Sequence, residues 1–412
     1  MTALKRIDIF LIDRIFFFQQ KGRIKTLKKT SSFSDFVSKN KNTILLLLVC
    51  ALIFIGGYCL AKPNAEESIP PSEYSEYERA KITAVLADST ERDETSDGGW
   101  RGEQLLLAEI LSGQYKGETM QVSNFVGPLY GVPLYEGDGA VLIISTYENG
   151  DHTATVFEFD RMIPLAVIVI LFLAAAVIVG GKTGAKSLAG LLVTLASLFF
   201  ILLPSLMKGA PTLPTVFAVC AYIAVVSLAI LGGVQKKTVC AMLGTVSGTA
   251  LAMIFGILAQ NLARIDGLRV PDVEPLLQLR QTGTPIGLTG LLVGGIVISA
   301  LGAVMDVTMG ISSSLFEVSA ANPELGQKEL FRSGMNVGRD MVGTMTNTLI
   351  LAFLGSSFVL ILYLYSIGLS THQLLSSSYL SIEVISGISS SIGVILSIPI
   401  TAFITAKALA KK

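Results

Sequence analysis

Eight stretches of this chain are apolar over bilayer length: Ile44–Ala61, Ile163–Val179, Ser187–Leu206, Thr215–Leu231, Thr238–Leu262, Leu288–Val307, Asp340–Tyr365 and Ile382–Lys407. Each approaches or exceeds the ~17 residues that a helix needs to cross a hydrocarbon core. The 412-residue length alone would admit two or three soluble domains. Composition argues otherwise, with 51% hydrophobic residues, 15% charged residues and a mean hydropathy of +0.64. The pattern predicts a polytopic α-helical membrane protein of about eight transmembrane helices. An even number of spans places both termini on the same side.

A formal net charge of zero conceals strong segregation. Residues 1–43 hold 10 Lys and Arg, whereas Lys62–Arg161 holds 19 acidic residues against 7 basic ones. Positive charge stays on the cytoplasmic side of a membrane. With the N-terminus inside, Lys182, Lys186, Lys236, Lys237, Lys328, Arg332, Arg339 and Lys407 all fall inside. The outer loops between the later spans carry only Lys208, Arg264, Arg269 and Arg280. Inside collects 20 of the 31 Lys and Arg. The acidic region falls outside, and without a folded basic domain a nucleic-acid partner is not expected.

The cytoplasmic extension, residues 1–43, carries an apolar patch (Ile7–Phe18) that reads either as an interfacial amphipathic helix or as a disordered basic tail. Ile44–Ala61 reads as an uncleaved signal anchor rather than a cleaved leader. In Lys62–Arg161 a Pro- and Glu-rich linker gives way to short alternating runs: RAKITAVLAD, EQLLLAEIL, ETMQVSNF, GAVLIIST and HTATVFEF. Turn residues separate them, including an Asn149-Gly150 hairpin signal. About five strands in so short a stretch predict a small extracytoplasmic all-β domain, a barrel or sandwich. Its acidic surface is either a binding face or simply a solvated one.

The chemistry-bearing residues concentrate at Phe331–Asn347 and just upstream at Gly302–Gly310. At ~100° per residue, Asn336, Arg339, Asp340, Gly343, Thr344 and Asn347 share an arc of about 140°, with Met341, Met345 and Leu349 opposite. Asp306 lies late in the preceding span, near the same boundary. Ionisable groups at membrane depth usually face a bundle interior or a wet cavity. One reading is an inner vestibule in which Asp306 and Asp340 accept a proton or cation and the amides coordinate. The other is an Asp306–Arg339 ion pair with interhelical hydrogen bonds that lock the bundle. Glu383 in the last span is a lesser candidate.

Other features read as packing. Gly244 and Gly248, and Gly290 and Gly294, form GxxxG pairs, with Gly295, Ser299 and Gly302 continuing a small face. LAGLLV (Leu188–Val193) and LTGLLV (Leu288–Val293) echo each other three spans apart, as inverted repeats would. Ile311–Gly334 fits two short amphipathic helices on the cytoplasmic surface, broken at Asn322-Pro323. Cys50, Cys59, Cys220 and Cys240 lie in or beside apolar segments without a CxxC, and His152 and His372 are isolated, so neither a disulfide framework nor a zinc site is expected. No hydrolase, metalloprotease or phosphate-loop motif is present, so no enzyme activity and no cofactor are expected.

The runs SALGAVMDVTMGISSSLFEV, NPEL and ELFRSGMNVGRDMVGTMTNTLILAFLGSS resemble the YibE/F-like family of bacterial multipass membrane proteins. RGEQ (Arg101–Gln104) and VPLYEGD (Val132–Asp138) extend the resemblance over roughly residues 75–405, leaving the basic extension outside. It implies a multipass topology in a bacterial cytoplasmic membrane and carries over no catalytic residues. The expected function is transport of a small solute or ion through the seven-helix region (162–412). The alternative is a non-transporting scaffold or sensor whose β domain binds an envelope component or another membrane protein.

Overall fold

The computed structural model describes residues 41–61, 75–146 and 152–410. The basic extension over 1–40, the linker over 62–74 and the Asn149-Gly150 turn lie outside the described residues. Helix α1 (Lys41–Ala61) is followed by strands β1 (Ser75–Asp88), β2 (Glu91–Asp93), β3 (Gly99–Ile110), β4 (Thr119–Val126), β5 (Gly139–Thr146) and β6 (His152–Phe159). The five expected strands are all present; β2, of three residues, is additional.

Alternation builds the barrel. On β3, Gln104, Leu106, Ala108 and Ile110 are buried in turn, and on β5 Ala140, Leu142 and Ile144 are, the period of 2 expected of a strand with one face to the core. Two register shifts in β1, between Ile82 and Ala84 and between Val85 and Ala87, let its first half pair with β5 while its second half pairs with β3. The sheet thereby closes in the order β1–β3–β4–β6–β5–β1, with β4 and β6 parallel. This is the order of an OB-type Greek-key barrel.

Only Asp160 and Arg161 separate β6 from helix α2 (Met162–Ser197). One carboxylate oxygen of Asp160 accepts the Met162 amide at 2.9 Å, and the other accepts Nε and Nη2 of Arg79 at 2.9 and 2.7 Å. The Met162 amide, and then the Arg79 guanidinium, hold this carboxyl below the usual carboxylate range against an opposing effect of burial. A depressed acid stabilises above its unfolded value, and the effect is lost as pH falls through the lower folded value. Asp160→Ala is therefore expected to lower the urea midpoint reported by Trp100, the chain's one tryptophan, near neutral pH. Its difference from the wild type should shrink as the pH drops from about 6 to about 2. A difference that does not change with pH would remove the carboxylate from the account.

Beyond α2 the chain passes through one wide π turn (Leu198–Leu202) into α3 (Leu203–Met207), then α4 (Thr212–Gly232), α5 (Lys236–Ala263) and the short α6 (Glu274–Gln281). Then come α7 (Leu291–Ala321), α8 (Gln327–Ser356), α9 (Phe358–Ser366), α10 (Thr371–Leu375) and α11 (Ser378–Leu409). Among the described residues five helices are long and apolar enough to cross a bilayer, or six if α8 and α9, bent by 61° at Ser357, count as one. The stretch Met162–Met207 counts as one of the five, but Gly181 within it is non-helical at φ 55°, ψ −133°. A β-carbon on Gly184 would collide with the Ala176 carbonyl, whereas eight residues of straight helix would separate them by about 12 Å. The chain turns sharply at Gly181, where the sequence reading places a loop.

One expectation is corrected. Ile311–Gly334 is not a pair of short surface helices. Ile311–Ala321 is the end of α7 and Gln327–Gly334 is the start of α8. Nothing between Val307 and Ala321 breaks the helix, and Ile311, Leu315 and Leu330 are buried in the bundle core. The break itself falls at Asn322, as the Asn-Pro pair requires.

The helices alternate in direction. Thr43 at the start of α1 accepts the Val234 amide between α4 and α5, while Lys208, after α3, donates to the Leu60 carbonyl at the other end of α1. Gly190 sits against Ser227, late in α4, and Gly290 against Thr212, at the start of α4. The two echoed hexapeptides thus begin at opposite ends of the same helix.

Candidate functional site

The residues singled out in α8 share one face, and that face points outward. Arg332, Asn336, Arg339, Asp340, Thr344 and Asn347 are all exposed. The Met341 and Met345 side packs inward, into the cluster built by Ile311, Leu315, Val394, Ile398 and Ala402. Glycines make that docking close. A β-carbon on Gly334 would lie 2.9 Å from Ala402 and 3.0 Å from Leu315, and one on Gly338 would collide with Ile398.

Asp306 is exposed at the middle of α7. Gly310 meets Met341 and Leu315 meets Gly334, so α7 and α8 run antiparallel. Asp306, one turn before Gly310, therefore lies level with the turn after Met341, along the seam where α7 and α8 meet. Asp306 thus lies deeper in the helices than Asn336, Arg339 and Asp340, on the side of α7 that meets the Met341 edge of α8, and no contact joins it to the polar stripe among the described residues.

Neither Asp306, Asp340 nor Asn347 makes a hydrogen bond or ion pair among the described residues. The four ion pairs found lie in the barrel, at its junction with α2 and in the α5–α6 loop, so the expected Asp306–Arg339 pair is not formed. Arg339 instead donates to the Asn336 amide oxygen at 3.3 Å. Thr344 and Thr348 turn their hydroxyls onto their own helix, to the Met341 and Thr344 carbonyls. Thr348 extends the stripe by a turn and was missed in the sequence, although its spacing of four from Thr344 marks it. Glu383 lies near the start of α11, away from this seam.

The interior of the bundle is packed with small hydroxyl residues instead. Thr245 and Thr308 hydroxyls meet at 2.8 Å between α5 and α7, and Thr249, Ser397 and Thr401 each bond to a carbonyl of their own helix. The small face expected on α7 divides in two. Gly290 and Gly294 pack on Thr212 and Val216 of α4, but a β-carbon on Gly295 or Gly302 would meet nothing within 4 Å. An apolar cleft of about 430 Å³ lies between α1, α2 and α4, lined by Leu47, Cys50, Phe54, Leu192 and Tyr222. Its carbon surface suits a hydrocarbon chain, not an ion. The four cysteines are free, with Cys59 exposed and the other three buried.

Fold and site together define a class: bilayer-length helices in a close bundle, one of them polar along its outer face, with a small closed barrel joined to the first helix after it. The chain belongs to the YibE/F-like protein family, whose sequence model matches residues 168–411. That match covers the bundle from α2 onward and leaves α1 and the barrel outside it. No curated protein and no solved structure matches the chain.

Proposed function

We propose that this chain is a multipass protein of the bacterial cytoplasmic membrane that moves a small solute or ion along the polar face of α8 beside Asp306. Counting α1, the two halves of α2–α3 divided at Gly181, α4, α5, α7, the bent pair α8–α9 and α11 gives eight crossings. Lys236, Lys237, Lys328, Arg332 and Lys407 gather at one end of the bundle, which the charge rule assigns to the cytoplasm. The barrel lies at the other end. The observation that carries transport is the row of polar groups at helix mid-depth: a carboxylate and a primary amide without partners among the described residues, and two hydroxyls bonded to their own helix. A carboxylate in hydrocarbon costs ~3 kcal/mol on insertion scales, and polar groups at this depth are retained where water or a solute meets them.

Asp306→Asn tests this reading. Because Asp306 has no partner among the described residues, the substitution should leave the amount of folded protein unchanged. In liposomes with an internal pH dye and imposed Na⁺, K⁺, Mg²⁺ or phosphate gradients, flux should fall at least about tenfold. Loss of folded protein, or full flux from the variant, would defeat the proposal. A second reading, a scaffold or envelope sensor, draws on the barrel, where Tyr77 and Phe157 lie exposed and edge-to-face at 5.2 Å. It is favoured if no gradient drives flux through the wild type.

A further inference from the structure

The uncovered seam of α7 and α8 is incompatible with lipid. Asp306 on α7 and Asn347 on the outward face of α8 make no hydrogen bond or ion pair among the described residues, and nothing lies within 4 Å of a β-carbon on Gly295, Gly302 or Gly343. The exposed side of α5 is different in kind: Leu243, Ile254 and Leu258 present a surface that hydrocarbon chains cover without penalty. One outer face suits lipid and the other needs a polar partner.

We propose that a second copy of this chain covers the α7–α8 seam, and that the polar route is complete only between the two copies. This rests on the membrane placement proposed above. Two copies inserted the same way round are related by a two-fold axis along the membrane normal, so each residue faces residues of its own depth. That symmetry demands a face whose every level complements itself. From Asn336 to Thr348 the outward face of α8 meets the demand, whereas the two Asp306 carboxylates repeat one charge at one depth. At the cytoplasmic boundary Arg339 and Asp340 are adjacent and opposite in charge, so each guanidinium meets the other copy's carboxylate. Asn336 and Asn347 carry amides that both donate and accept, as the hydroxyls of Thr344 and Thr348 do. Gly343, with nothing within 4 Å of a β-carbon, lets the two α8 helices approach closely. A lipid partner leaves Asn347 unpaired, whereas a copy of the chain supplies the missing groups at its depth. The two Asp306 carboxylates then flank one shared seam.

The test is cross-linking in native membranes, with the full chain and its four cysteines replaced by alanine. Thr344→Cys, and separately Asn347→Cys, should form a covalent species of twice the chain mass under mild oxidation. Their yields should exceed that of Leu258→Cys on α5 by at least tenfold. Monomer at both positions, or an adduct with a different protein, overturns the proposal. Retention of the chain after an alkaline carbonate wash checks the membrane premise separately. Cross-linking that persists while Asp306→Asn flux is normal counts against the transport reading alone.

Discussion

Replacing Gly248 with leucine is expected to leave almost no folded protein. At this point α5 crosses α7 and α11 so closely that a β-carbon on Gly248 would lie 2.7 Å from the Ser397 β-carbon and 2.7 Å from Val304. The Gly393 carbonyl would be 3.2 Å away, and a β-carbon on Gly393 would in turn lie 2.6 Å from the Ala252 β-carbon. None of these neighbours is the free end of a long side chain, so the helices themselves must separate. Overpacking of a well-filled core costs ~1–3 kcal/mol where side chains can yield, and more where backbone must move. Prising three helices apart also breaks the hydroxyl contact of Thr245 with Thr308 one turn away. Against a total stability of about 5–15 kcal/mol, the loss is decisive. Gly355→Ala is the control, because nothing lies within 4 Å of its added carbon. Size-exclusion profiles of the two full-length variants give the answer. A wild-type profile for Gly248→Leu would mean that the helices do not cross this closely.

How much of this was legible in the sequence depends on the kind of signal. Gly244 and Gly248 were legible because a spacing of four fixes a helix face and small residues have one main use there. The partner helices were not, since α11 lies some 150 residues away. In the barrel, period-2 alternation exposed five strands. It could not expose β2, too short to show a period, nor the parallel β4–β6 pairing that closes the sheet. The α8 stripe shows the limit most plainly. Its arc followed from helical geometry, but its outward direction did not. In water the apolar side would turn inward by default; in a bilayer either side can. The choice is made by Gly310, Gly334 and Gly338, which open the holes that Met341, Leu315 and Ile398 fill.

The second large effect is expected far from the bundle, from Gln104→Leu. Gln104 is fully buried at an inward position of β3, where a polar side chain is tolerated only if its hydrogen bonds are met. Its Oε1 accepts the Leu134 amide at 2.8 Å and Asn124 Nδ2 at 2.9 Å. Its Nε2 donates to Asp88 at 2.9 Å and to the Leu134 carbonyl at 3.2 Å. One side chain therefore ties β1 and β4 to the long loop between β4 and β5. Leucine has similar volume but leaves the Leu134 amide and one Asn124 donor buried and unpaired. Each orphan costs ~1–3 kcal/mol, which places the total near ~3–5 kcal/mol, a large part of what a barrel this size can hold. Trp100, at the start of the same strand, reports the barrel alone in a urea titration of the full chain. The double variant Gln104→Leu with Asn124→Leu should cost clearly less than the sum of the two single changes, because removing both partners leaves fewer orphans. Strict additivity would show that the two amides act separately and that the loop is held by something other than this network.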